Sequence, residues 1–206
     1  MADAKQKSAS VSQRRDSARK DERIRRTRAR IDAAFIDLLH RRAYGNIRVS
    51  DITQKAGVGR ATFYAHYETK DELLRSQFDR MVAPMFLSAP AQACRIDATF
   101  FFEHMRTAPE LYRTFMGPEG GTAPRVLRDC FEDRFRRLLQ PGGAVASVAS
   151  RQLQESALAR FVASSLITII ECWLEQGARE TSPQVQLFFS ELVGPGVAAA
   201  LAKSNA

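Results

Sequence analysis

The side chains with chemistry to offer cluster near position 60. Arg60-Ala61-Thr62-Phe63-Tyr64-Ala65-His66-Tyr67 follows directly on Ala56-Gly57-Val58-Gly59. Within two helical turns it sets out a guanidinium, a hydroxyl with its methyl, a phenol and an imidazole. Arginine presents two parallel N–H donors that match guanine O6 and N7, and threonine can meet a base edge through either of its terminal groups. Phenol and imidazole suit phosphate oxygens. This is recognition chemistry. Nowhere in the chain does a nucleophile stand with a base and its orienting partner, and there is no glycine-rich phosphate loop, so an enzyme is not expected. No cofactor is expected either. The three cysteines (Cys94, Cys130, Cys172) and three histidines (His40, His66, His104) are scattered without a CxxC or any metal-ligand spacing. No metal site or disulfide framework is implied, and the cysteines read as buried thiols.

A reading helix needs something to aim it. Glycine in a turn of three or four residues lets a second helix cross the first steeply, and Gly57-Val58-Gly59 supplies that turn. Ala56 is small where the two helices approach. Val58 and Phe63 are expected to point inward, leaving Arg60, Ala61, Thr62, Tyr64 and His66 on the face that can enter a major groove. The preceding short helix opens at Ser50-Asp51 and carries Ile52 and Ala56 inward. Before it, Ile24, Ile31, Ala34, Phe35, Leu38 and Leu39 recur at helical spacing, and Gly45-Asn46 ends that element. After it, Thr69 to Glu72 has the form of a capping box opening a helix with Leu73, Leu74, Phe78 and Met81, which Pro84 kinks or stops. Lys70 falls in the first turn of that helix, where the macrodipole disfavours a cation, and a nearby phosphate would reverse the penalty.

Charge supports the same reading. All of the formal +8 lies in the first 80 residues: residues 1–30 carry +7, residues 31–80 carry +1, and the remainder is neutral. A neutral body with a basic N-terminal part is the footprint of a polyanion-binding module attached to something else. Residues 1–18, rich in Ser, Lys, Arg and Gln without apolar periodicity, read as a disordered basic arm. An interfacial membrane helix is disfavoured because Arg23 to Arg30 lacks a bulky apolar face, and no uninterrupted apolar run is long enough to span a bilayer. With polar first residues unlike a signal peptide, the expected location is cytoplasmic. A nucleoid protein that binds DNA without sequence preference is the rival reading.

Beyond Pro84 the periodicity stays helical. Segments are expected at Phe100–Arg106, from Pro109 through Leu111, Tyr112, Phe115 and Met116, at about 123–139, at about 150–176 ended by Gly177, and from Pro183 to about Leu201 across Gly194-Pro195-Gly196. No strand pattern or repeat emerges. The fold class is all-α: a three-helix N-terminal helix-turn-helix domain (residues 19–68) and a larger C-terminal helical domain for ligand binding and dimerisation (69–206).

The stretch from Arg26 to Leu74, above all Ile52-Thr53-Gln54-Lys55-Ala56-Gly57-Val58-Gly59-Arg60-Ala61-Thr62-Phe63-Tyr64-Ala65-His66-Tyr67 with Lys70 and Leu73-Leu74, resembles the DNA-binding domain of the TetR family. One departure is Gly59, where the family often has Ser or another capping side chain. The resemblance implies a homodimeric transcriptional regulator, a repressor, that binds a palindromic double-stranded operator. It implies that Arg60, Ala61 and Thr62 face the bases, with Tyr64, His66 and Lys70 towards phosphates; Ser50 joins this DNA-facing set. More loosely, Phe102 to Tyr112 and Trp173 to Gly177 resemble one branch of such regulators. In the family the last two long helices pair with their copies as a four-helix bundle. Phe161, Leu166, Ile169, Ile170 and Trp173 on the first, with Val185, Phe188, Phe189 and Leu192 on the second, are therefore the expected dimer interface. Phe100, Phe101, Met105, Phe115, Met116, Phe131, Phe135 and Cys172 are the expected lining of a pocket for a small, largely apolar effector.

Overall fold

The computed structural model describes residues 2–86, 96–139 and 148–204. It consists of α1 (Ala2–Leu39), α2 (Val49–Ala56), α3 (Arg60–Tyr64), α4 (Lys70–Val82), α5 (Thr99–Arg106), α6 (Pro109–Met116), α7 (Ala123–Leu139), α8 (Val148–Glu175) and α9 (Ser182–Ser204). Short 3₁₀ turns fall at Tyr44–Asn46, Ala83–Phe86 and Pro118–Gly120, and no strand occurs among the described residues. The chain divides into two compact units. One comprises Met1–Arg42 and Ile47–Lys70; the other comprises Ala43–Asn46 and Asp71–Ala206.

In the first unit, α1 takes in residues 2–18, which composition alone reads as unstructured. No Gly or Pro interrupts residues 2–39, and Ala, Lys, Gln and Arg are good helix formers, so nothing local stops the helix from extending. Its core face is Ile31, Ala34, Phe35, Leu38 and Leu39, packed with Ile47, Ile52, Ala56, Phe63 and Tyr67. The second unit buries Phe101, Phe102 and Met105 of α5, Tyr112 and Phe115 of α6, Leu127, Phe131 and Phe135 of α7, and the stripe Ala159, Ala163, Leu166, Ile170 and Trp173 of α8. Helix ends follow their local chemistry. Pro109 is the first residue of α6, and Gly177 stops α8 at φ +85°. Pro195 lies inside α9.

Tyr44 belongs to the second unit although it sits between α1 and α2 in sequence. It is buried, its ring stacks on Phe115 at 6.2 Å, and its hydroxyl bonds the Asp71 carboxylate, which also accepts from Thr122 Oγ1 at 2.9 Å. Burial and the neighbouring carboxylate push its phenol well above the ordinary range. Gly45 fits here for want of a side chain: a Cβ would stand 2.9 Å from the Glu119 carbonyl oxygen.

Candidate nucleic-acid interface

The interface is built from α1 upward. Ile52 and Ala56 bury the inner face of α2, while Asp51 Oδ2 accepts the Arg48 N–H at 2.8 Å and so closes its first turn. The N-cap position is Arg48 rather than Ser50, which is half-buried one residue into the helix. At the other end Gly57 adopts φ +61°, ψ +41°, the left-handed C-cap that glycine enters without steric cost. The N-cap of α3 is Gly59, with no side-chain hydrogen bond to the helix. Phe63 is fully buried and fixes the rotation of α3; Val58 is only half-buried. The opposite face carries Arg60, Ala61, Thr62 and Tyr64, all exposed, and His66 lies half-buried just beyond the helix end. Four of the five side chains are thus exposed on a helix that closes at Tyr64 rather than Tyr67, and His66 lies outside it.

Lys70 has a partner that its sequence position does not reveal. Its Nζ donates to the Ile47 carbonyl at 2.7 Å, so the ammonium straps the start of α4 to the segment entering α2. A second strap joins Lys55 Nζ to Asp37 Oδ2 at 2.5 Å, and this ammonium holds the Asp37 carboxyl below the ordinary range. Two further residues that the sequence marks only as part of the basic N-terminal charge are placed against the segments that flank the reading helix. Arg30 Nη2 donates to the carbonyls of Ala56 and Gly57, and Arg28 Nε donates to the Tyr67 hydroxyl. Backbone acceptors leave no mark in a sequence, so no signal could have found the Arg30 or Lys70 bonds.

The other expected sites fare differently. Of the effector set, Phe101, Met105, Phe115, Phe131 and Phe135 are buried and Met116 half-buried, whereas Phe100 and Cys172 are exposed. Phe101 packs edge-on against Phe131 at 5.4 Å, while Phe115 sits in a separate cluster with Tyr44, Phe78 and Tyr112. Of the dimer set, Leu166, Ile169, Ile170, Trp173, Val185 and Phe189 are buried within the chain itself, and only Phe161, Phe188 and Leu192 face outward. Leu153 and Leu187, which the sequence did not single out, join them; all five are more than half exposed. The buried-thiol reading holds for Cys130, whose pKa burial pushes up to about 12. It fails for Cys172, which lies on the outward face of α8, and Cys94 lies outside the described residues. Among the described residues no His, Cys, Asp or Glu group could hold a metal ion.

An all-helical chain whose N-terminal unit offers an exposed reading helix on a glycine-turned support defines a helix-turn-helix protein. Comparison with known proteins relates that unit to a family model. Residues 31–76 match the family model described as bacterial regulatory proteins, tetR family. The chain is 45% identical over 64 residues to an uncharacterized HTH-type transcriptional regulator, YxbF, of Bacillus subtilis, covering 31% of this chain and 17% of that protein. It is 42% identical over 55 residues to the dhaKLM operon transcriptional activator DhaS of Lactococcus lactis, covering 27% and 29%. The chain thus spans well under two thirds of the curated relatives it matches. Among solved structures, a TetR transcriptional regulator from Streptococcus agalactiae aligns at a TM-score of 0.57 with 24% identity, over 86% of this chain and 99% of that one, which shows the shared fold. The N-terminal unit, which holds most of the matched residues, is a helix-turn-helix DNA-binding domain similar to that of the tetR family.

Proposed function

We propose that this protein is a homodimeric transcriptional repressor that reads a palindromic operator through α3 and is released by a small, largely apolar effector. The observation that carries the reading is the exposure of Arg60, Ala61, Thr62 and Tyr64 on a helix locked by buried Phe63. Arg60 and Thr62 meet base edges. Tyr64, His66, Ser50 and the exposed cations of α1 meet the backbone. Lys70, whose Nζ also donates to the Ile47 carbonyl, adds a phosphate contact.

The dimer reading rests on the outward faces of α8 and α9. Phe161 and Leu153 on the first, with Leu187, Phe188 and Leu192 on the second, form an exposed apolar surface of the kind that marks association. The stretch Glu155–Glu175 is also long and apolar enough to cross a membrane, yet half of it is buried in the protein and it carries Arg160 and Glu171. A core stripe on one side and a partner-facing stripe on the other account for that composition in a cytoplasmic protein. Two-fold symmetry would set the reading helices about 34–36 Å apart, one turn of DNA.

Effector release requires that the ligand favour a dimer with misplaced reading helices, because equal affinity for both arrangements shifts nothing. The test of the whole reading is selection of duplexes from a random library by the full-length protein, followed by a promoter-reporter assay with the enriched sequence. An enriched palindrome that silences the reporter supports it. Uniform binding to all duplexes would favour the nucleoid rival, and reporter induction would reverse the sign of regulation.

A further inference from the structure

Arg30 stands on α1, yet its guanidinium lies against the turn that launches the reading helix. Nη2 donates to Ala56 O at 2.7 Å and to Gly57 O at 2.9 Å. These are carbonyls at the end of α2, where a helix leaves its last acceptors without partners and its dipole is negative. The fit is close. A Cβ on Gly57 would stand 2.8 Å from Nη2, so this glycine serves both the left-handed turn and the approach of the arginine.

The helix that follows has little to hold itself. It spans five residues, and Gly59 gives it no side-chain cap. Helices this short are not stable from their own hydrogen bonds. Its position is therefore set from outside, and α1 supplies a hold at each end. At the near end is Arg30. At the far end the buried Tyr67 donates its hydroxyl to Asp32 Oδ1 at 2.6 Å and accepts from Arg28 Nε at 2.9 Å, with the Arg28 guanidinium 5.3 Å from the ring centroid.

We propose that Arg30 is a positioning residue for base reading: its two-carbonyl cap fixes the Gly57 turn, and hence the register of Arg60 and Thr62, beyond what its charge adds to the basic N-terminal region. The inference rests on the DNA-reading function proposed above. Lysine separates the two roles, since it keeps the charge but its shorter stem stops the ammonium short of the place where Arg30 Nη2 meets both carbonyls.

The experiment uses full-length wild type, Arg30→Lys and Arg30→Ala against the duplex enriched by the wild-type protein and a scrambled duplex, across a salt series. Positioning predicts that Arg30→Lys binds scrambled DNA with wild-type affinity and salt slope, while its preference for the enriched duplex falls by at least about fivefold. Arg30→Ala should lose that preference and also about one unit of slope if the cation reaches a phosphate. Retention of the wild-type preference by Arg30→Lys would overturn the proposal. Amide hydrogen exchange on DNA-free protein gives the independent check. Both variants should exchange at least about tenfold faster over residues 58–64, with the Phe35 and Ile52 amides unchanged as proof of folding; unchanged exchange at 58–64 also overturns it. If the wild type prefers no duplex, the DNA-reading function itself fails, while exchange still decides whether Arg30 holds the turn.

Discussion

The outward face of α3 and the outward faces of α8 and α9 are both exposed, but they are exposed for opposite reasons. The α3 face is polar and mixed: Arg60, Thr62 and Tyr64 keep their hydration until a partner rich in acceptors replaces it. The α8 and α9 faces are apolar, and Phe161, Phe188 and Leu192 gain by losing water altogether. A DNA-reading surface has to remain soluble when empty, because a regulator spends time off its site. The proposed dimer surface has no such requirement. The same difference governs how each is read from sequence. On α3 the polar side chains that face out are also the ones that the proposed base reading uses. On α9, Phe188 and Phe189 are adjacent and chemically identical, and only the rotation of the helix decides that one faces solvent and the other is buried.

The sharpest way to break the comparison is to truncate those two neighbours separately. Phe189→Ala should destabilise the chain by about 3–5 kcal/mol in denaturant unfolding, as expected for a buried aromatic. Phe188→Ala should cost the folded monomer under about 1 kcal/mol while weakening self-association. The stronger variant Phe188→Glu should run as a monomer in light scattering at micromolar concentration with its fold intact. If Phe189→Ala and Phe188→Ala lose the same stability, the assignment of inner and outer faces is wrong.

Ionisation separates the two units by sign. In the C-terminal unit, burial raises Cys130 from an ordinary 9.0 to about 12, and Tyr44 and Tyr112 are raised as well. A folded pKa above the unfolded one gives stability that is fully present below the unfolded value and is lost as pH rises towards the folded value. Melting temperature should therefore fall above about pH 9, where these groups begin to ionise in the unfolded chain. Asp37, in the N-terminal unit, is shifted the other way by Lys55, so its contribution is present above the ordinary carboxylate range and lost as pH falls through its folded value. Hydrogen exchange as a function of pH should show alkali loosening α5 to α7 and acid loosening the contact between α1 and α2. The reverse order would contradict both assignments.

Lys70→Ala gives a smaller effect. Loss of the Ile47 bond should cost about 0.5–1.5 kcal/mol of stability, and any phosphate contact would appear as a salt slope flatter by about one unit. An unchanged slope with lowered stability would make Lys70 a strap alone.

Much of this architecture was legible because local chemistry wrote it. Gly57 and Gly177 end helices through positive φ, Pro109 begins one, and Phe63 marks the buried side of the reading helix. The extent of α1 was not legible, since polar residues without periodicity carry no signal for or against a solvated helix. Nor were the anchors of Arg30 and Lys70: their acceptors are carbonyls, which every residue owns. The effector set was chosen by residue type, and type cannot tell a core aromatic such as Phe101 from an exposed one such as Phe100.

The central claim is that α3 reads bases. It is tested most directly by fluorescence-anisotropy titration of wild type and Arg60→Ala against the duplex the protein enriches and a scrambled one, at several salt concentrations. The account predicts a loss of about 1–3 kcal/mol per half-site on the enriched duplex, and little change in preference elsewhere in the site. Equal losses on both duplexes would mean that Arg60 is only another cation on the backbone, and would contradict the account.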